Sequence, residues 1–230
     1  MSTVAWRVPP STTRLLAETP GDAPVAVLLR HSVRGPLPSG DAGNAVPLTR
    51  DGARLARCLG KVLGDRLRRL HASPLPRCVQ TAEALRSGAG VDTPIVSDRL
   101  LGDPGVYVLD ARRAWSNWEA LGHEAVVQSL VSGSSVPPGM AEPDRAARRL
   151  VQHMLATAGD RPGLHLFITH DFVITVTVAR LLGEPFGREE WPWYLEGAFF
   201  RRAGGWISTA YRDRSKRQPA VDLASFDERS

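Results

Sequence analysis

Val25–Leu29, V-A-V-L-L, is the stretch that most constrains this chain. Five apolar residues run without a polar break and are closed at once by Arg30-His31. Two of the five are β-branched, and Asp22-Ala23-Pro24 precedes them. A short apolar run with such flanks is expected as a buried strand of a parallel sheet. Arg34 follows three residues after His31, and Gly35-Pro36 and Pro38-Ser39-Gly40 then open a loop. Two guanidinium groups and an imidazole therefore gather at the carboxyl end of a buried strand. That edge of an open α/β sheet is where ligands bind. Guanidinium forks match phosphate oxygens in bidentate pairs, so a phosphoryl group suits this edge.

The rest of the chain repeats the pattern. Thr49 is an N-cap candidate, Asp51 suits the first helical turn, and Leu55, Ala56, Leu59, Val62 and Leu63 keep helical spacing up to Gly64. Cys58 inside this helix reads as a small packed side chain. Arg69–Ser73 is a short strand candidate, and a second helix is expected over Pro76–Arg86, with proline in its first turn. Val91–Val96 is a weaker strand. The stretch from 100 to 140 has no clear period and reads as a mid-chain insertion with some helix of its own. Ala141–Ala158 has the pattern of an amphipathic helix. Leu164–Thr169 is a second apolar strand, followed by His170-Asp171 and an apolar helix over Phe172–Leu182. Ala198–Phe200 and Trp206–Ala210 are expected as a closing hairpin. The order of strands and helices predicts an α/β fold, a three-layer αβα sandwich around a mostly parallel central sheet. Residues 1–22 are expected as an irregular arm, 23–211 as one domain, and 212–230 as a polar, mobile tail.

Composition narrows the function. Lys61 and Lys216 are the only lysines among 29 basic residues, and the formal charge is +5. The arginines are scattered, with no long basic run and no aromatic ladder between them, which argues against nucleic acid as a partner. Cys58 and Cys78 read as reduced thiols of a cytoplasmic protein. No apolar run is long enough to span a membrane, and the first residues lack the pattern of a signal peptide. Oligomeric state leaves no mark in the sequence.

In a mostly parallel sheet the strand ends carrying Arg30-His31, Ser73-Pro74 with Arg77, and His170-Asp171 fall along one edge. Arg30, His31, Arg34, Arg77, His170 and Asp171 could then converge. Cations crowded in this way repel one another unless an anion such as a phosphate dianion is bound. No Cys-x5-Arg loop exists, since Gly64 and Ala84 stand six residues after Cys58 and Cys78. That excludes a cysteine-based phosphatase.

Four segments in order, R-H-S-V-R at Arg30–Arg34, L-T-R-D-G at Leu48–Gly52, S-P-L-P-R-C-V-Q-T-A at Ser73–Ala82 and T-H-D at Thr169–Asp171, resemble the histidine phosphatase superfamily, which is phosphoglycerate-mutase-like. The resemblance implies His31 as the nucleophile that accepts the phosphoryl group and Arg30, Arg34 and Arg77 as the phosphate clamp. It implies His170 as the second histidine of the pocket. The implied activity is a metal-independent phosphomonoester hydrolase, acting on a small phosphorylated molecule through a phosphohistidine, with no cofactor. The alternatives are a phosphomutase of the same fold and a phospho-ligand-binding module without turnover. Where this family usually has glycine after the nucleophile, Ser32 stands here. One branch takes its proton donor from the loop after the mid-chain strand, which matches Asp103 in L-L-G-D-P-G. The other uses the Asp after the second histidine, which matches Asp171, and the His-Asp adjacency favours Asp171. His71 and His165 read as packed core histidines, and His123 and His153 as surface or boundary residues. Substrate specificity is expected from the insertion and from residues 191–194. Trp115, Trp118, Trp191 and Trp193 are more readily core or rim residues than pocket lining.

Overall fold

The computed structural model describes residues 6–38 and 43–220. The loop opening at Ser39-Gly40 and the tail beyond residue 220 lie outside the described residues. The first strand, β1 (Pro24–Arg30), is buried at all five inner positions. Its side chains alternate between two cores: Ala26 and Leu28 face one, and Val25, Val27 and Leu29 face the other. The apolar run needs both cores, because successive strand residues point to opposite faces.

Helices α1 (Pro10–Glu18), α2 (Arg50–Leu63) and α3 (Pro76–Ala89) cover one face. The other is covered by α4 (Ala111–Ser132), α5 (Pro143–Ala158) and α6 (Asp171–Leu182). Between them runs one sheet in the order β3-β2-β4-β1-β5-β6-β7. Strands β1, β2 (Leu67–Ala72), β3 (Ile95–Ser97) and β4 (Gly163–Thr169) are mutually parallel. Strands β5 (Gly197–Ala203), β6 (Trp206–Tyr211) and β7 (Arg214–Pro219) continue the sheet antiparallel from β1. The three-layer α/β architecture read from the sequence is the observed one.

Both termini of the described chain differ from expectation. The arm expected to be irregular contains α1, whose Leu15 and Leu16 are buried. Thr12 donates its hydroxyl to the Leu195 carbonyl at 3.0 Å. The part of the tail up to residue 219 is β7, an edge strand on β6. Its sequence, R-S-K-R-Q-P, is polar because an edge strand benefits from charge that discourages further pairing. Cys58, expected to be packed, is exposed on α2. The buried stripe of that helix is Gly52, Ala56, Leu59, Gly60 and Leu63. The weak strand shortens to Ile95–Ser97, and the 100–140 insertion contains α4, interrupted at Gly122 (φ 80°).

Candidate active site

Strands β1 and β4 are neighbours in register, with Arg30 opposite Thr169. The ladder runs on past both: the His31 amide donates to Thr169 O at 2.9 Å, and the Ser73 amide to Ile168 O at 2.9 Å. His31, Ser73 and His170 are therefore fixed by backbone at the same sheet edge. The two histidine rings lie 5.5 Å apart, centroid to centroid.

His31 is 3 % exposed, and its Nδ1 lies 2.7 Å from the Ser32 carbonyl. A carbonyl can only accept, so Nδ1 carries the proton and Nε2 keeps its lone pair. Burial, with His170 and Arg30 nearby, holds the His31 pKa well below the usual histidine value. His31 is thus a neutral imidazole at neutral pH. Ser32 does not crowd it: the hydroxyl donates to Gly52 O at 2.7 Å, and the Ser32 amide donates to the Thr81 hydroxyl at 3.0 Å. Gly52 is required beside this loop, since a Cβ there would sit 2.1 Å from Val33 O.

His170 is oriented from both sides. Arg77 Nη2 lies 3.3 Å from Nδ1 and can only donate, so Nδ1 accepts and Nε2–H donates to Ser73 Oγ at 3.0 Å. Burial and then Arg77 bring the His170 pKa down to about 3. Arg30 is tied to Asp171 at 2.7 Å, donates to Pro192 O at 2.7 Å, and lies 4.3 Å above the Tyr194 ring. Arg77 donates to Gly43 O at 2.7 Å, and Arg34 to Gly35 O at 2.8 Å. Cys78 sits against His170, but burial pushes its thiol up to about 12, so it is inert at neutral pH.

Arg30, His31, Arg34, Arg77, Asp103, His170 and Asp171 all line one cavity of about 750 Å³. Both carboxylates read from the sequence are present but differently placed. Burial would raise the Asp171 pKa, yet Arg30 and His123 outweigh it and hold the carboxyl well below the usual range. Its Oδ1 also accepts from the Phe172 amide at 2.9 Å. Asp103 is exposed at the cavity wall, and among the described residues nothing hydrogen-bonds or ion-pairs with its carboxylate. Gly102 brings Asp103 to the site: a Cβ on Gly102 would lie 2.6 Å from Ser73 Oγ and 2.7 Å from His170 Nε2.

Other parts of the wall were not read from the sequence. The break at Gly122 lets His123 line the cavity, with Nε2 3.7 Å from Asp171 and Nδ1 accepting from Trp118 Nε1 at 3.0 Å. Trp115 and Trp118 are lining residues after all, together with Phe172, Arg188 and Tyr194. Trp191 is buried beside His123, and Trp193 is 64 % exposed. Neither is part of the cavity wall. A lone Tyr, His or Arg has no spacing that distinguishes it from surface. Their roles come from a helix break and from the turn before β5.

Comparison with known proteins agrees with this fold. A phosphoserine phosphatase from Entamoeba histolytica, solved with phosphoserine, superposes with TM-score 0.59 at 14 % identity, covering 82 % of this chain and 96 % of that one. A structure described as mycobacterial hydrolase 2 gives TM-score 0.57 at 19 % identity, covering 88 % and 95 %. A phosphoglycerate mutase from Bacillus anthracis gives 0.50 at 14 % identity, covering 89 % and 96 %. At these identities the likeness is one of fold. A search of curated proteins finds no match. The family model for the histidine phosphatase superfamily (branch 1) matches residues 27–194, from within β1 to Tyr194 at the cavity wall, and the chain belongs to that superfamily.

Proposed function

We propose that the protein is a metal-independent phosphomonoester hydrolase working through a phosphohistidine. The observation that carries this reading is the tautomer of His31, whose Nε2 is unprotonated in a pocket that Arg30, Arg34 and Arg77 also line. In this reading Nε2 attacks phosphorus while Arg30, Arg34 and Arg77 hold the phosphoryl oxygens, His170 orients Arg77 through its Nδ1, and the ester P–O bond breaks. The departing oxygen takes a proton from Asp103. Water then attacks the phosphohistidine, its proton passes to Asp103, and phosphate leaves with Nε2 free again. Asp103 receives the proton role because it lines the cavity with no cation partner among the described residues, whereas Asp171 is committed to Arg30. Asp171 keeps Arg30 aimed.

The wall beyond the clamp is largely apolar, with Trp115, Trp118, Phe172, Val108 and Ala114. Arg188, the further arginine of the wall, is stacked 4.2 Å over the Trp191 ring, and the lining as a whole favours a phosphate ester with an apolar or aromatic body. Two free thiols suit a reducing, cytoplasmic setting. The test is phosphate release from p-nitrophenyl phosphate, naphthyl phosphate, phosphoserine and 3-phosphoglycerate, each with EDTA present. The expected result is turnover unchanged by EDTA, with kcat/KM highest on the aromatic esters. Isomerisation of phosphoglycerate without phosphate release would make the protein a mutase. Binding of these esters without turnover would make it a binding module.

A further inference from the structure

On the opposite side of β2 from α3, three side chains outside the catalytic cavity meet. His71 comes from β2, Asp98 from the turn after β3 and His153 from α5. One ligand atom from each lies within 4.8 Å of the others. His153 Nε2 is 2.7 Å from Asp98 Oδ2, and His71 Nδ1 is 3.4 Å from the same oxygen. His71 is 8 % exposed, and its buried Nδ1 makes no aligned hydrogen bond, only the 3.4 Å approach to Asp98. A buried polar atom left unpaired is costly, and a group that completes its bonding relieves that cost. The Asp98 carboxylate is already oriented, because its Oδ1 accepts from the Leu100 amide at 3.0 Å. The His153 side chain is 33 % exposed, which leaves a way in from solvent.

We propose that His71, Asp98 and His153 form a binding site for a divalent transition metal, Zn(II) being the best fit. Two imidazole nitrogens and one carboxylate oxygen are a ligand set this ion accepts, with water in the fourth position. Tetrahedral arms of about 2.1 Å put neighbouring donor atoms about 3.4 Å apart, which the His71–Asp98 pair already matches. The His153–Asp98 pair is shorter because a proton bridges it. Metal binding displaces that proton into solvent, as it must when a ligand nitrogen gives its lone pair to the ion. The site is structural rather than catalytic. It clamps β2, α5 and the start of the Arg99–Leu101 turn, and Gly102-Asp103 follow that turn into the active cavity.

The test titrates the full chain, stripped with EDTA, with Zn(II) by calorimetry and with Co(II) by visible absorption. Wild type should bind one ion per chain and gain melting temperature on adding Zn(II). His153→Gln, a change at a partly exposed helix position, should weaken binding at least about tenfold and abolish the thermal gain. Asp98→Asn should do the same. His31→Ala, which alters only the catalytic cavity, should leave affinity unchanged. Absence of binding at millimolar metal would overturn the proposal. So would affinity lost in His31→Ala but kept in His153→Gln, which would place the ion at the catalytic histidines.

Discussion

Asp103 and Asp171 face the same cavity, but only one carries a cation within bonding distance, and their substitutions should separate by leaving group. Asp103→Asn should slow hydrolysis of alkyl phosphates, whose oxygen must be protonated, by about 10²–10⁴-fold, and slow p-nitrophenyl phosphate much less. Asp171→Asn releases Arg30 and should weaken all esters alike, mainly in KM. Steady-state kinetics on the two ester types decides, and the reverse pattern would give the proton to Asp171. The buried histidines set a second expectation. His31 and His170 have folded pKa values below the unfolded value of about 6.5, so the unfolded chain binds their protons first as pH falls. Their contribution is complete above about pH 6.5, and each loses about 1.4 kcal/mol per pH unit as the pH falls below it. Carboxylates contribute little until about pH 4, because their unfolded values lie near there. Urea melts should therefore show stability rising from about pH 4 to 6.5 and then levelling, with a shallower rise in His170→Gln. A flat profile would contradict the neutral, buried state of these two histidines. At this scale the convergence of Arg30, Arg34, Arg77, His31 and His170 on one cavity was legible, because each stands in a motif at or just after a strand end. His123 and Tyr194 were foreseen only as part of the insertion and of residues 191–194, because nothing local marks either one.

Among the elements, α1, the turn before β5 and the end of β6 are joined by one buried carboxylate. Glu196 is 2 % exposed and accepts from Ser11 and from both Nε and Nη2 of Arg212. Its Oε2 also accepts from the Trp193 amide at 2.9 Å, next to Tyr194. Glu196→Ala should leave Arg212 without its partner and cost about 3 kcal/mol in chemical denaturation, as breaking a largely buried pair does. It should also lower activity by loosening Tyr194 beneath Arg30. A loss below about 0.5 kcal/mol would show that the pair behaves as an exposed one. The same contacts explain what was misread. P-S-T-T-R-L-L-A-E has only a short apolar stripe, and R-S-K-R-Q-P has none. Both elements are ordered by partners far away in sequence. By contrast β1, β4, α2 and α6 carry their burial in their own pattern, and their positions were legible to within about two residues.

For the whole molecule, the order of strands and helices was enough to place three strand ends on one edge. The pairing of β1 with β4 then puts His31 beside His170. The His71–Asp98–His153 cluster was invisible for the opposite reason: the three positions share no motif and meet only through the fold. On the proposed mechanism this edge makes His31 a nucleophile, and trapping the intermediate is the decisive measurement. Enzyme mixed with a phosphate ester and quenched in base should yield phosphate bound to His31, stable to base and lost in acid. His31→Ala should carry none and turn over more slowly by several orders of magnitude. A variant lacking His31 that still turns over at near wild-type rate, or a wild-type enzyme that forms no phosphohistidine during rapid turnover, would contradict the account.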